Sequence, residues 1–127
     1  MTYRAIVDQQ VDPADRVKVL TWENVEAGDE CEPIDISQFP DASVHIFIKS
    51  GSGTTIALEG SNDKRGNRND DDHANADFQT VKDSDGQLIS TTSNKLYQKI
   101  TNTWWLRPVL TDGDAVVDIS IHMVRAH

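Results

Sequence analysis

The side chains best suited to chemistry lie in an acidic run that ends in a histidine, Asp-Asp-Asp-His at residues 70–73. Asp63 and Asp77 flank this run, and carboxylate oxygens are ligands that calcium prefers. A calcium loop, however, needs ligands at alternating positions and a glycine at its sharp turn. The acids here are consecutive, so we expect a solvated acidic loop without metal or other cofactor. A calcium site, or an enzyme built on the run, is the alternative.

The remaining reactive side chains form no catalytic set. His45 and His122 are predicted on the solvent faces of two strands, where histidine is commonly a polar surface residue. Cys31 is the only cysteine, so neither a four-ligand zinc site nor an internal disulfide can be built from it. No serine lies in a Gly-x-Ser-x-Gly elbow. The glycine-rich residues 51–53 lack the lysine and helix of a phosphate loop. We predict that the chain is not an enzyme.

The aromatic residues favour binding. Trp104 and Trp105 are adjacent on a predicted strand, so they should point to opposite faces of a sheet. Arg107 shares the face of Trp105, and such Trp/Arg pairs are enriched in interface hot spots. Either both tryptophans pack inside the protein, or one contacts a partner. Trp22 fits the core or the cover of a sheet better than a binding surface. The candidate binding residues, including two from the acidic run, are Trp105, Arg107, Trp22, Asp70 and Asp72.

Length and charge limit the possible classes of protein. The chain has 127 residues and a net charge of -9, which predicts one domain over residues 1–127 and argues against binding to nucleic acid or anionic membranes. The single cysteine favours synthesis in a reducing cytoplasm. Residues 1–15 lack the apolar stretch of a signal peptide, and no apolar run is long enough to span a membrane.

The elements that must position these residues are predicted to be strands. Alternating apolar residues and intervening turns predict an all-β fold, an antiparallel β-sandwich or jelly roll of about eight strands. We expect a hairpin in which residues 43–49 and 54–59 pair through the glycines of 51–53, and a strand over 103–110 that Pro108 interrupts. Residues 94–102 are ambiguous between helix and strand. The other predicted strands are 17–25, 33–37 at a sheet edge, 78–82, 88–91 and 116–124.

Two segments stand outside this pattern. Residues 61–77 contain no apolar side chain larger than alanine, which predicts a long polar loop of functional importance or high mobility. Residues 1–15 are predicted to form an extended N-terminal arm, or a short strand at their start. Both segments are candidate contacts with a partner.

The segment Ile-Ala-Leu-Glu-Gly-Ser-Asn-Asp at residues 56–63, followed by Phe-Gln-Thr-Val at 78–81, resembles a strand-turn-strand of discoidin-like jelly rolls. Residues 104–109 and 116–124 resemble the closing hairpin of that layout. The chain also resembles the capsid decoration, or cementing, proteins of tailed bacteriophages, which share the layout. Residues 64–77 depart from the discoidin pattern as an insertion.

This resemblance implies a virion protein, made in the host cytoplasm, that binds the major capsid protein lattice on the outside of the head. It also implies a homo-oligomer, either a dimer or a trimer. Sugar and lipid binding are not implied, because secreted discoidin modules commonly have a disulfide and exposed apolar spikes for their ligand, which this chain lacks. A carbohydrate-binding module of the jelly-roll type is nevertheless the alternative function, with Trp105 or Trp22 stacking on a sugar ring.

Overall fold

The computed structural model describes residues 2–9, 16–98, 100 and 103–125. These residues form strands and two short 3₁₀ helices, Lys64–Gly66 and His73–Asn75. Within the same residues, no helix has the length and apolar character needed to cross a bilayer. The strands in chain order are β1 (Tyr3–Arg4), β2 (Ile6–Asp8), β3 (Val17–Val25), β4 (Glu30–Cys31), β5 (Ile34–Asp35), β6 (Asp41–Ser50), β7 (Thr55–Ser61), β8 (Gln79–Thr80), β9 (Ser90–Thr91), β10 (Lys95–Tyr97), β11 (Trp105–Thr111) and β12 (Val116–Val124).

Ten of these strands form two five-stranded sheets. Sheet I has the order β10-β6-β12-β3-β2; sheet II has the order β5-β11-β7-β8, with β9 also paired to β7. Every pairing within the two sheets is antiparallel. Strands β1 and β4 form a separate parallel pair. The prediction of an antiparallel all-β sandwich is confirmed, with more strands than the eight expected because many strands have only two or three residues.

The core lies between the two sheets and follows from alternation along the strands. In β12, Val117, Ile119, Ile121 and Met123 are fully buried, as are Leu106 of β11 and Leu58 of β7. Each such side chain stabilises the fold by roughly 1.5–3 kcal/mol through removal of apolar surface from water. The residues between them point outward, so each sheet has a second face that the core does not use.

The two hairpins expected from the sequence are wrong. Strand β6 belongs to sheet I and β7 to sheet II, and β11 and β12 are likewise divided between the sheets. Residues 51–53 and 112–114 are therefore crossovers between sheets. They lie against each other: Ser52 N–H donates to Asp114 Oδ1 at 2.9 Å, and Asp114 N–H donates to the Ser52 carbonyl at 3.1 Å. Gly51 has a φ of 77°, and a Cβ there would lie 2.4 Å from the Asp114 carbonyl oxygen.

Other predicted elements differ in detail. Strand β11 continues through Pro108, which pairs with Leu58 of β7. Among the described residues β5 reaches only Trp105 and Leu106 of β11, so Pro108 lies where β11 lacks a strand partner on that side. Within the ambiguous segment 94–102, residues 95–97 form β10, and residues 99, 101 and 102 lie outside the described part. Strand β5 lies at a sheet edge, as expected.

The start of the chain does not extend away from the domain as an arm. Strand β1 pairs with β4, and β2 pairs with the edge of β3. Residues 10–15 of the predicted arm lie outside the described residues. Residues 3–8 therefore belong to the sandwich.

Candidate functional site

Most of the predicted binding residues lie on the outer face of sheet II. Trp105 and Arg107 alternate with the core residues of β11, so they share this face, as expected. Residues 62–78, which we term the covering loop, lie across it. The contacts described below show that this loop packs on the sheet and is not a freely solvated polar segment.

The covering loop is held together by Arg65. Its guanidinium contacts the carboxylate of Asp63, with Nη2 at 2.6 Å from Oδ2, and reaches Asp72 Oδ2 at 3.2 Å through Nη1. Asp63 also caps the first 3₁₀ helix by accepting the Arg65 backbone N–H at 3.0 Å. These hydrogen bonds from Arg65 hold the pKa of Asp63 well below its usual range. The same carboxylates raise the pKa of Arg65.

Trp105 and Arg107 are engaged within the chain. The loop glycine Gly66 lies so close to the Trp105 indole that a Cβ there would be 2.5 Å from Cδ1. The Arg107 guanidinium lies 3.8 Å from the centre of the Phe78 ring and 3.4 Å from Glu59 Oε1. The loop residue Arg68 also pairs with Glu30, with Nε 2.6 Å from Oε1. The expected hot-spot pair is therefore covered by the loop instead of facing solvent.

One expectation about tryptophan is wrong, and another is confirmed. Trp104 and Trp105 do not point to opposite faces: their rings are stacked, with centroids 5.5 Å apart and planes 23° apart. Trp104 precedes β11, at a bend where strict strand alternation does not apply. Trp22 lies in the core, as expected, because it is 0% exposed and its Nε1–H donates to the Glu32 carbonyl at 2.9 Å; this burial removes it from the candidate binding residues.

Asp70 and Asp72 have structural contacts in the covering loop. Asp70 Oδ1 accepts the backbone N–H of Asp72 at 2.9 Å. Hydrogen bonds from Asn75 and from Arg65 lower the pKa of Asp72. His73 lies within hydrogen-bond distance of a backbone carbonyl, with Nδ1 3.0 Å from the Arg65 oxygen. Among the described residues, no group of three or more histidine, cysteine or acidic side chains is placed to hold a metal ion.

The other reactive residues are separated from one another. Cys31 is buried in the core, and burial raises the pKa of its thiol to about 12, so a reactive thiolate does not form near neutral pH. His45 and His122 are exposed on the outer face of sheet I. They lie on the adjacent strands β6 and β12 but are not directly opposite, because His45 pairs with Ser120 and His122 with Ser43.

Sheet I has an outer face with exposed apolar side chains that sequence analysis did not single out. Phe47 of β6 is 47% exposed and Leu96 of β10 is 54% exposed. Leu96 lies opposite His45, so Phe47 is its diagonal neighbour on the same face. Phe47 lies at an outward position of β6, between the inward residues Ile46 and Ile48. A large apolar residue at an outward position was a signal available in the sequence.

A cleft lies at the end of sheet II where β7 and β8 meet. It measures about 660 Å³ and is lined by polar residues of the covering loop, by residues 79–82 and by Thr103. Gly60 forms part of it, and a Cβ there would lie 2.6 Å from Val81 and 2.7 Å from Thr103 Oγ1. The Trp104 backbone N–H donates to Asn62 Oδ1 at 2.9 Å, and Asn62 lines the cleft, whereas the Trp104 side chain does not.

Comparison with known proteins bears on the fold. No protein-family model matches the chain, and no curated protein matches it. The crystal structure of the SPBc2 prophage-derived protein YomS is similar, with a TM-score of 0.57 and 16% sequence identity. The match covers 85% of this chain and 94% of that chain. At this identity the likeness establishes a shared fold across almost the whole of the YomS chain.

Proposed function

We propose that this chain is a structural protein of a tailed-bacteriophage particle that binds the outside of the capsid as a homo-oligomer. The observation that carries the proposal is the fold shared over nearly the full length of a prophage-derived protein. The capsid role itself comes from the resemblance to decoration proteins. The proposal includes no catalysis and needs no cofactor.

The outer face of sheet I supplies a surface for the capsid. Phe47 and Leu96 are exposed neighbours on that face, and exposed apolar groups of this kind are typical of protein contact sites. On this face His45 and Lys49 of β6 flank Phe47, and Asp118 of β12 lies directly opposite Phe47.

Binding to a capsid does not require a strong single contact. A shell presents the same site many times, and an oligomer that engages two or three sites converts later contacts into intramolecular ones. Two exposed apolar side chains on each protomer therefore suffice as anchors when protomers act together. This requirement links the oligomeric state to capsid binding, so both properties are measured in the test.

The test uses heads of the phage or prophage whose genome encodes the chain, assembled after deletion of its gene. We expect the purified chain to sediment with these heads and to be a dimer or trimer in analytical ultracentrifugation. The double variant Phe47→Ser/Leu96→Ser should lose at least about tenfold in head affinity, which corresponds to 1.4 kcal/mol. Leu88→Ser is the matched control, because Leu88 is an exposed leucine outside sheet I and its loss should leave binding unchanged.

Two results would overturn the proposal. A chain that is monomeric and remains in the supernatant with undecorated heads does not bind a capsid. The second result is a Phe47/Leu96 double variant that still sediments with the heads while Leu88→Ser does not. It would show that the contact surface is not on sheet I.

A further inference from the structure

We propose that His45 and His122 lie inside the capsid-contacting surface on the outer face of sheet I, and that their protonation weakens capsid binding. This inference rests on the proposed function and adds a regulation of the same site. Strand register carries it, because the pairing of β10, β6, β12 and β3 places both histidines next to the residues of the contact.

His45 is a neighbour of both apolar residues of the contact. It lies directly opposite Leu96 on β10, and Phe47 lies two residues along β6 on the same outward face. Neighbouring strands are about 4.8 Å apart, and successive outward residues of one strand are about 7 Å apart. A partner surface that buries Phe47 and Leu96 therefore also buries His45.

A row of outward residues continues from His45 across the whole of sheet I. Ser120 of β12 lies opposite His45. Thr21 of β3 lies opposite Ser120, and Val7 of β2 lies opposite Thr21. The Thr21 and Ser120 hydroxyl oxygens are 3.0 Å apart, within hydrogen-bond distance, and Val7 is 40% exposed. The row joins the Leu96 edge of the sheet to the Val7 edge through uncharged and histidine side chains.

His122 lies in the next row of the same face. It is opposite Ser43 of β6 and opposite Val19 of β3, and like His45 it is exposed. The paired residues of these two rows include no aspartate, glutamate, lysine or arginine, although the chain carries 21 acidic and 12 basic residues. Histidine is the side chain that ordinarily changes charge between about pH 5 and pH 8. His45 and His122 therefore control the charge of this part of the surface.

Two acidic side chains border the histidines. Asp118 pairs with Phe47, which makes it a diagonal neighbour of His45, and Asp41 is likewise diagonal to His122. Asp118 Oδ1 already accepts the Asn24 N–H at 2.9 Å. The other charged residues of the four strands lie farther along this face (Glu23 and Lys49) or are paired with core residues (Lys18 and Lys95). The residues directly opposite the histidines are all uncharged: Leu96, Ser120, Ser43 and Val19.

Protonation adds positive charge where the capsid contact removes side chains from water. A neutral imidazole can be buried when its polar nitrogens are hydrogen-bonded. A charged imidazolium loses its hydration on burial, and this loss costs free energy unless an opposite charge compensates it. Since no acidic side chain lies directly opposite either histidine, we expect head affinity to fall as the pH falls.

The experiment measures sedimentation of the full-length chain with undecorated heads at about pH 8 and at about pH 5.5, the range over which histidine changes charge. We expect the native chain to lose about tenfold or more in head affinity at the lower pH. The double variant His45→Gln/His122→Gln cannot be protonated at these positions, so it should bind heads equally well at both pH values. His73→Gln is the matched control, because His73 belongs to the covering loop on the other sheet, and it should lose affinity as the native chain does.

Three results would overturn the role of the histidines. They are equal head affinity of the native chain at both pH values, tighter binding at the lower pH, and a loss in the double histidine variant as large as in the native chain. Each of these leaves the capsid proposal intact, because that proposal is tested by binding at about pH 8 and by its loss in the Phe47/Leu96 double variant. Absence of binding at about pH 8 would overturn the capsid proposal and this inference together. Circular dichroism at both pH values checks that each variant keeps the native fold.

Discussion

The outer faces of the two sheets differ in what covers them. On sheet II the covering loop lies over Trp105, and Arg107 stacks on Phe78. On sheet I, Phe47 and Leu96 are about half exposed. Both faces carry large apolar side chains on their strands, so strand pattern alone does not distinguish them. The difference lies in residues 62–78, which lie across one face.

This comparison separates residues that stabilise the fold from residues available to a partner. A Trp/Arg pair has the composition of an interface hot spot, yet here its contacts are intramolecular. Apolar area that is already removed from water contributes to folding and adds little to binding. Phe47 and Leu96 on sheet I are still exposed to water, so their burial would add to binding and contributes less to folding. We therefore expect mutations on sheet II to change stability and mutations on sheet I to change association.

The largest expected difference comes from truncating one aromatic residue on each face. Trp105→Ala should lower the free energy of unfolding by about 2–4 kcal/mol, because it removes a large, partly buried ring and leaves a cavity under the loop. Phe47→Ala should cost less than about 1 kcal/mol, since much of its ring is already in water. Urea denaturation monitored by far-UV circular dichroism measures both. Equal losses in the two variants would show that the covering loop contributes no stabilising contact with Trp105.

The sequence predicts the strands better than their partners. Alternation identified the inward residues of β6, β7 and β12, because burial on one face imposes a period of two. It could not tell a hairpin from a crossover, since glycine turns such as 51–53 serve both. The crossovers 51–53 and 112–114 are stabilised by each other, and that contact joins residues far apart in the chain. Pairing therefore depended on tertiary contacts that local turn chemistry does not encode.

The candidate site was predictable in composition but not in arrangement. The polar loop at 61–77 and the Trp105/Arg107 face were both recognised from the sequence. Their contact was not, because it depends on close approaches between residues far apart in the chain, that of Gly66 to the Trp105 ring and that of Phe78 to Arg107. The stacking of Trp104 on Trp105 was also missed, since the strand begins only at Trp105 and the bend before it removes the alternation rule. Apart from Gly60, which was recognised only as part of a turn motif, and the core residue Val81, the cleft is built from polar residues that look like ordinary loop and edge residues.

A smaller loss of stability is expected for Gly66→Ala, which displaces the covering loop from sheet II. Gly66→Ala places a methyl group 2.5 Å from Trp105 Cδ1 and 2.8 Å from Cγ, so the loop or the indole must move. Such overpacking costs about 1–3 kcal/mol, and the loop amides should exchange with solvent faster. Hydrogen exchange of residues 62–78 and urea denaturation measure the two consequences.

Asn69→Ala provides the control for Gly66→Ala, because Asn69 is an exposed residue of the same loop. Its stability should stay within about 0.5 kcal/mol of the native chain. If Gly66→Ala is as stable as this control and its loop exchanges no faster, then the loop does not pack on Trp105 in solution.

The smallest expected effect is a loss of the stability contributed by the Asp63–Arg65 contact at acid pH. Arg65 lowers the pKa of Asp63 in the folded chain, whereas an unfolded aspartate titrates near a pKa of about 3.9. A lowered folded pKa means that the charge of Asp63 stabilises the fold fully above about pH 4 and progressively less as the pH falls further.

Asp63→Asn keeps an oxygen for the helix cap but cannot titrate. The stability gap between the native chain and Asp63→Asn should therefore be constant from pH 7 to about pH 5 and should narrow below about pH 4. Arg65→Gln removes the cause of the shift and should show the same narrowing relative to the native chain. A gap that stays constant at acid pH, measured by urea denaturation at each pH, would mean that the Asp63–Arg65 contact does not stabilise the loop over sheet II.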